Sequence, residues 1–155
     1  MALSAADIKT TYPLPVYNYR VEIDGLAVAF SEVSGLSMTY GTTLYAESSL
    51  NGKAPNWMYM PGQCNPIPLT LKKGVVTGVS VAALYAWIGS IQLNRVQKKD
   101  IYIRLCDENG NAVISWKVIN AFPTKLDAPT FVASSNDVAI ESMELMADSI
   151  VVEQS

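Results

Sequence analysis

One hairpin pattern constrains the fold of this 155-residue chain more than any other feature. Within Asp100–Ala121, apolar residues alternate with polar ones over Ile101–Leu105 and again over Ile114–Val118. A period of two is typical of strands that bury one face. Between the two runs lies Asn109-Gly110, a dipeptide that tolerates the positive φ angles of a tight primed turn. The pattern therefore predicts a β-hairpin that turns at Asn109-Gly110.

Four more segments have the composition of strands. The first is Tyr19–Ile23, which ends at Asp24-Gly25 and is expected to pair with a second strand at Val28–Val33. Leu69–Lys73 and about Val138–Ala147 complete the set. Strands at this spacing with one helix among them favour a mainly β fold, an antiparallel sandwich or barrel.

Other segments are expected to lie outside regular strands. Met1–Asn18 is predicted to be an extended lead-in rather than a helix, because prolines follow its polar start. Pro61-Gly62 is predicted to be a turn, Phe122-Pro123 a bend, and Leu126–Ser135 irregular. The strands are thus expected to be short and separated by turns.

The length and the first residues bear on domain number and targeting. A chain of 155 residues can bury a single core, so residues 1–155 are expected to form one domain. Met1–Thr10 has neither the basic start nor the apolar stretch of a secretory signal. No run approaches the roughly 18 apolar residues of a membrane span. We therefore expect a protein made in the cytoplasm without a signal peptide.

The charge distribution indicates which partners the chain has. A net charge of −3 and a pI of about 4.8 argue against a nucleic-acid footprint. Charged residues make up only 16% of the chain, against about 25% in typical soluble domains. Between Lys53 and Arg95 the only charged residues are Lys72 and Lys73. We infer that another copy of the chain covers much of this middle third.

Residues 36–56 are predicted to form a long protruding hairpin arm. Fixing Gly41–Asn56 costs roughly 16–32 kcal/mol of backbone entropy at about 1–2 kcal/mol per residue. Burial of Tyr45 and Trp57 would return at most about 7–13 kcal/mol. The segment is therefore either mobile or held by a partner. A floppy surface loop is the simpler alternative.

One helix is predicted over residues 80–94, with Ser80 as its N-cap. Val81, Leu84, Ile88 and Ile91 share one stripe, with Trp87 beside it. The opposite side carries small or apolar residues, namely Ala82, Ala86, Gly89 and Leu93. A helix without charge on any face is typical of burial on both sides. We expect one side to pack on the sheet and the other to meet a neighbouring subunit or a covering loop.

Residues with catalytic or metal-binding potential are few. Histidine is absent, and the two cysteines, Cys64 and Cys106, lack ligand-like spacing and are expected to be buried or half-buried thiols. Glu22 and Asp24 are expected on one strand face, where alternating charges are usually solvated. Asp107, Glu108 and Asn109 could bind calcium, but such residues are ordinary in a hairpin turn. We expect no cofactor, no metal and no enzymatic activity.

Eight segments, taken in order, resemble the tail tube proteins of contractile phage tails. The likeness is closest to the inner-tube proteins of extracellular contractile injection systems and covers nearly the whole chain. The segments are Phe30–Leu36, Met60–Gln63, Leu69–Val75, Ile91–Asn94, Lys98–Ile101, Asn120–Pro123, Ser135–Glu141 and Leu145–Asp148.

The resemblance implies a structural role in an assembled particle. Such proteins are β-sandwiches or barrels with a side helix; they close into hexameric rings through continuous sheet and stack by a long arm. The implied partners are further copies of the chain, a sheath protein, baseplate and cap proteins, and protein cargo as a candidate occupant of the lumen. The particle is phage-tail-like, and the resemblance allows its release from the cell. The inter-subunit interface is then predicted at Tyr40, Leu44, Tyr45, Leu50, Trp57, Tyr59, Ala82, Ala86 and Leu93.

Two other functions remain open at the level of sequence. A monomeric ligand-binding β-barrel would line a pocket with Trp57, Tyr59 and Trp116. An enzyme would be built on Glu22, Asp24 or Glu141.

Overall fold

The computed structural model describes residues 2–76, 81–93 and 95–154. Antiparallel strands dominate it, so the prediction of a mainly β fold is confirmed. In chain order the elements are α1 (Ala5–Thr11), β1 (Tyr19–Ile23), β2 (Leu26–Val28), β3 (Glu32–Ser34), β4 (Tyr40–Glu47), β5 (Asn56–Cys64), β6 (Ile67–Gly74), α2 (Val81–Gly89), β7 (Lys99–Cys106), β8 (Ala112–Asp127), β9 (Ile140–Ala147) and β10 (Ser149–Gln154).

Two sheets enclose one apolar core. The first sheet has the order β2-β1-β7-β8-β10, and the second has the order β8-β9-β6-β3. Alternate residues of both sheets point into a shared cluster, because a strand directs every second side chain to the same face. α2 packs against β8 and adds Leu84 and Trp87 to this cluster. The strand members of the cluster are Val21, Ile23, Ile67, Leu69, Leu71, Ile101, Ile103, Val118, Ala121, Met143, Leu145, Ala147 and Ile150.

Strand β8 belongs to both sheets. Its first half pairs with β7 and β10, and its second half, from Phe122, pairs with β9. At the change of sheet Asn120 has a positive φ of 56°, and its backbone N–H donates to Asp100 Oδ1 at 3.1 Å. The bend predicted at Phe122-Pro123 is therefore wrong, because the strand continues to Asp127 with a register shift after Pro123.

Of the two sharp hairpin turns, the one predicted around Gly25 is confirmed, and the one at Asn109-Gly110 differs from the prediction. At Asn109-Gly110 only Gly110 has a positive φ, so the primed turn predicted there is wrong. The reason is Asp107: its Oδ1 accepts from the backbone N–H groups of Asn109 and Asn111, both at 2.9 Å. The primed geometry lies instead at Asp24 and Gly25, which both have positive φ and join β1 to β2.

Three further segments depart from the prediction. The lead-in contains α1, whose Ser4 and Asp7 form a capping box, so the expectation of no helix before residue 18 is wrong. The predicted strand Val28–Val33 is two short strands, because β2 pairs with β1 whereas β3 pairs with β6. Strand β10, paired along β8, was not expected.

One glycine fixes how the chain leaves β3. Gly35 has φ +87° and lies against β6, where a Cβ atom would stand 1.9 Å from the carbonyl oxygen of Pro68. Only glycine fits both this backbone conformation and this close approach. The segment from β3 to β4 is thereby held against the core sheet.

Candidate assembly interface

The predicted arm is a separate two-stranded ribbon, here called the arm hairpin (Tyr40–Cys64). Its strands β4 and β5 pair only with each other among the described strands. The hairpin is longer than the predicted residues 36–56, because β5 extends to Cys64. Pro61-Gly62 lies inside β5, so the turn predicted there is wrong.

A close backbone contact at the base of the arm hairpin explains the glycines there. A Cβ atom on Gly62 would lie 2.9 Å from the carbonyl oxygen of Gly41 on the opposite strand. The pairing register shifts between Tyr40 and Thr42, and Pro61, which has no N–H, stands opposite Thr42. The two glycines therefore allow two paired strands to approach each other closely, and they do not form a turn of the chain.

Cross-strand pairing sorts the apolar side chains of the arm hairpin onto two faces. Leu44 stands opposite Tyr59 and Ala46 opposite Trp57, so these four residues share one face. The other face carries Tyr45 opposite Met58, and Thr43 opposite Met60. Met58 and Met60 are interface candidates that the sequence prediction missed, although they alternate with Trp57 and Tyr59 in the run Trp57–Met60.

Both faces of the arm hairpin are exposed in the isolated chain. Trp57 is 59% and Tyr59 77% exposed, and Leu44, Tyr45, Met58 and Met60 are exposed as well. Covering the exposed parts of the two aromatic rings would remove about 250 Å² of surface from water, worth about 6 kcal/mol gross. A lone two-stranded ribbon is marginally stable in water, so these faces favour contact with other chains.

The tip of the arm hairpin is a local turn. Ser49 Oγ and Asn51 Oδ1 both accept from the backbone N–H of Lys53, and Gly52 has φ +72°. Leu50 at this tip is fully exposed. Leu50 is therefore an exposed apolar side chain at the end of the arm hairpin that is far from its base.

Helix α2 packs one side on the sheet and exposes the other. Leu84 and Trp87 are buried, and Trp87 Nε1 donates to the Gln97 carbonyl at 2.7 Å. Tyr85 and Ala86 are exposed. Of the predicted stripe, Leu84 is buried and Ile88 half-buried, whereas Ile91 lies beyond the helix and is exposed. The side chain of Val81 lies outside the described residues.

The ends of the predicted helix differ from the structure. Ser80 and Asn94 lie outside the described residues, and so does the side chain of Ala82. The helix ends at Gly89 rather than at residue 94, and Ser90 Oγ donates to the Trp87 carbonyl at 2.6 Å. Leu93 is therefore in a turn, where it is exposed.

Free sheet edges add to the exposed surface. Within the described residues β2 pairs only with β1, and β10 pairs only with β8. Val151 and Val152 on β10 are exposed. An unpaired edge with apolar residues is a template for pairing with another chain.

The carboxylates that were considered for catalysis are far from forming a site. Glu22 is paired with Arg20 at 3.1 Å and with Arg104 at 3.2 Å. Asp24 is in the tight turn after β1, not on the strand face beside Glu22 as expected. Glu141 is on β9, opposite Lys73 in the other sheet. The three carboxylates thus lie at separate places, on β1, in the turn after it and on β9 of the second sheet.

Acidic residues of the turn between β7 and β8 also have structural roles. Hydrogen bonds from backbone N–H groups, above all that of Asn111, hold the pKa of Asp107 below its usual value. Glu108 accepts from Lys9 Nζ at 2.8 Å, and this bond lowers the pKa of Glu108 and raises that of Lys9. The pair ties α1 to the turn.

The three aromatic residues of the ligand-barrel alternative do not converge. Trp57 and Tyr59 lie on the arm hairpin, whereas Trp116 is half-buried in β8. The hollow that Trp116 lines is formed with residues such as Tyr19, Val33 and Leu105, without Trp57 or Tyr59. These rings therefore do not build one pocket.

The described part of the chain also bears on metal binding and membrane spanning. It contains no group of three or more His, Cys, Asp or Glu placed to hold a metal ion. Cys106 is buried, but Cys64 is exposed at the arm base, contrary to the expectation for both thiols. No described helix has the length and apolarity to cross a bilayer.

These features are typical of one class of protein: a subunit that binds other protein chains through exposed apolar faces and free sheet edges. A family model described as T4-like virus tail tube protein gp19 matches residues 15–151. The chain belongs to this tail tube family, and the resemblance inferred from its sequence is confirmed.

Solved structures agree with this membership. A chain of the PVC sheath-tube complex, from an extracellular contractile injection system in the extended state, is 41% identical over 99% of this chain and 100% of that chain, with a TM-score of 0.89. The anti-feeding prophage cap, a tube terminating cap, gives 42% identity over 100% of both chains and a TM-score of 0.84. A chain of the anti-feeding prophage baseplate shares the fold at 21% identity and a TM-score of 0.71. A comparison with curated proteins gave no match.

Proposed function

We propose that this chain is the structural subunit of the rigid inner tube of a phage-tail-like contractile injection system. One tail-tube-like domain closes with five further copies into a hexameric ring, and rings stack into a hollow tube. The observation that carries the proposal is the arm hairpin, which is apolar and exposed on both faces. Such a ribbon needs a partner on each side, as it would have between stacked subunits.

Ring closure would use unlike edges of the first sheet. β2 and β10 are at opposite ends of that sheet, and each has a free side in the described chain. A head-to-tail contact between unlike edges produces a closed ring when its rotation closes. It would also remove the exposed edges that otherwise favour aggregation.

The assembled tube would be a conduit and a puncturing shaft rather than an enzyme. A sheath protein would surround it, a cap protein would end it and a baseplate would start it, as in the particles from which the similar chains come. Contraction of the sheath would drive the tube through a target envelope. The particle would act outside the cell that made it, with protein cargo as an occupant of the lumen.

A deletion tests the role of the arm hairpin. The purified protein is expected to form rings or hollow tubes by negative-stain microscopy and light scattering. A variant in which Gly41 is joined to Gly62 is expected to fold, as judged by far-UV circular dichroism, but not to elongate. Joining the two residues is feasible because their backbones already approach within contact distance.

The deletion has a matched control that keeps the hairpin strands. Ser48→Ala changes only an exposed side chain beyond the end of β4 and outside the predicted interface, so a full-length ribbon remains and tubes are expected to form. Normal tubes from the deletion variant would contradict the role of the arm hairpin. An intact protein that stays monomeric at high concentration, even with baseplate and cap proteins added, would contradict the tube proposal itself.

A further inference from the structure

Two Asn-Gly dipeptides lie in turns with similar hydrogen bonds. One is Asn51-Gly52 at the tip of the arm hairpin, and the other is Asn109-Gly110 between β7 and β8. In each turn the glycine has a positive φ, and its N–H donates to the carbonyl three residues earlier, at 3.2 Å in the first turn and 3.1 Å in the second. The side chain that begins each turn, Ser49 or Asp107, accepts from the backbone N–H four residues later. The two turns can therefore be compared directly.

An Asn-Gly dipeptide has a reaction of its own. The backbone nitrogen of the glycine attacks Cγ of the asparagine, and the new C–N bond closes a succinimide ring. The bond from Cγ to the side-chain nitrogen breaks, and that nitrogen leaves as ammonia after taking up the proton of the glycine N–H. Water then opens the ring at either carbonyl and gives aspartate or isoaspartate. The surroundings of the side-chain carbonyl and the ease with which the turn opens determine the rate.

The tip of the arm hairpin holds the Asn51 side chain in a way that favours this attack. Asn51 Oδ1 accepts from the Ser49 hydroxyl at 2.9 Å and from the backbone N–H of Lys53 at 3.2 Å. Negative charge develops on this oxygen when the carbon that bears it is attacked, and donors already in place stabilise that charge. The two donors therefore activate the Asn51 amide towards the nitrogen of Gly52.

The charges near the two asparagines differ in sign. An anionic transition state is stabilised by a neighbouring cation and destabilised by a neighbouring anion. Within the tip, residues 48–55, the only charged residue is Lys53. Asn109 instead follows Asp107 and Glu108, and its backbone N–H donates to Oδ1 of Asp107 at 2.9 Å. Electrostatics therefore favours the reaction at the tip and opposes it in the turn after β7.

The two turns also differ in how closely the strands confine them. β7 and β8 remain paired up to Cys106 and Ala112, which immediately flank the turn between them. In the arm hairpin the pairing ends at Glu47 and Asn56, so the tip is longer than that turn. A longer segment with fewer backbone pairs opens at a lower cost, and opening frees the nitrogen of Gly52 from its hydrogen bond.

We propose that Asn51 is a site of spontaneous deamidation, activated by the Ser49 hydroxyl and the backbone N–H of Lys53. Asn109 is protected by its turn. The product at the tip is aspartate or isoaspartate, and either one adds a carboxylate close to Lys53. The tip of an aged subunit thus has a compensated charge, whereas the tip of a new subunit is cationic. The inference goes beyond the proposed tube function and does not depend on it.

Incubation of the full-length protein at neutral pH in isotopically labelled water tests the proposal. The concentration is kept low enough that light scattering shows monomers, so that no other chain covers the tip. Samples taken over several weeks are digested with pepsin in acid, where the ring closes slowly, and mass spectrometry locates the labelled oxygen. Asn51 is expected to react at least about 10-fold faster than Asn109, less than the roughly 100-fold effect of a donor in a buried oxyanion hole because the tip is exposed. Equal rates, or a faster reaction at Asn109, would overturn the proposal.

The same incubation in guanidinium chloride shows whether the fold causes the difference. Unfolding removes both donors from Asn51 and the strand pairing around Asn109, and the high salt screens the charges near each of them. The two asparagines are then expected to react at similar rates. A ratio as large as that in the folded protein would assign the difference to the neighbouring residues in the sequence, and the role of the tip would be refuted.

A pair of variants tests the donor at the tip. Ser49→Ala removes the hydroxyl and is expected to slow the reaction at Asn51 about 10-fold, whereas Ser49→Thr keeps a hydroxyl and is expected to change the rate much less. A residue that only held the turn closed would have the opposite effect, because Ser49 Oγ also accepts from the backbone N–H of Lys53 and its loss would loosen the tip. A faster reaction in Ser49→Ala would therefore contradict activation of the amide.

Discussion

Replacement of Gly35 by alanine separates two effects that are usually confounded, backbone strain and steric overlap. Gly35 has φ +87°, and its missing Cβ would stand 1.9 Å from the Pro68 carbonyl oxygen. Gly25 has a similar φ of +79°, but a Cβ atom there would meet nothing within 4 Å. The variants Gly35→Ala and Gly25→Ala therefore share the strain, and only the first adds the overlap.

The expected magnitudes follow from these distances. A left-handed backbone costs an L-residue about 1–2 kcal/mol, which is the whole effect expected for Gly25→Ala. At Gly35 the strand that carries Pro68 must also move, and such overpacking costs about 1–3 kcal/mol more. Gly35→Ala is thus expected to lower the free energy of unfolding by about 2–5 kcal/mol. Its melting temperature should fall by about 2–4 °C for each kcal/mol.

Urea unfolding followed by tryptophan fluorescence measures both variants. The protein concentration is kept low enough that light scattering shows monomers, so that assembly does not contribute to the unfolding free energy. Equal losses in the two variants would refute the reasoning, because they would mean that the segment after β3 moves away from β6 without cost.

Three further predictions concern single contacts and pH. Tyr19→Phe removes a hydroxyl that donates to a backbone carbonyl at 2.6 Å and should cost about 1–2 kcal/mol in urea unfolding; no measurable loss would contradict this. Arg104→Met leaves Glu22 with one guanidinium partner and should cost about 1–3 kcal/mol in the same assay, an unchanged midpoint being the contrary result. The contact between Lys9 and Glu108 should be complete between about pH 5 and pH 10. The lowered pKa of Glu108 makes its stabilisation present above the unfolded carboxyl pKa and lost as pH falls, and the raised pKa of Lys9 makes its stabilisation present below the unfolded amine pKa and lost as pH rises. The difference in α1 amide NMR shifts between the protein and its Glu108→Gln variant should report both transitions, and a difference that does not change on acidification would contradict the first.

The strands with one buried face could be predicted from alternation alone. Ile101, Ile103 and Val118 are buried where the pattern places them, because a slip of one residue would expose the whole row. The arm hairpin could also be expected, since its conformational cost exceeds what its own side chains return. Its exact extent could not be predicted, because Pro61-Gly62 has the composition of a turn and its strand pairing depends on Gly41, twenty-one residues away.

Other features depend on contacts that local sequence does not determine. The turn after β7 is set by the side chain of Asp107, which competes with the preference of Asn109-Gly110. Strand β10 exists because β8 offers it a partner far away in sequence. The capping box of Ser4 and Asp7 is a local signal for α1, but Pro13 and Pro15, which follow it, favour extended backbone and mask this signal.

Strand β8 has a mechanical consequence for a shaft that is pushed from behind. Its backbone runs unbroken from the first sheet into the second over Ala112–Asp127. A load applied to one sheet passes to the other through covalent bonds, and sliding of the two sheets past each other would require the hydrogen bonds on both sides of Asn120 to break together. Each subunit is therefore expected to resist shear as one body, so that bending under load would be confined to the contacts between subunits.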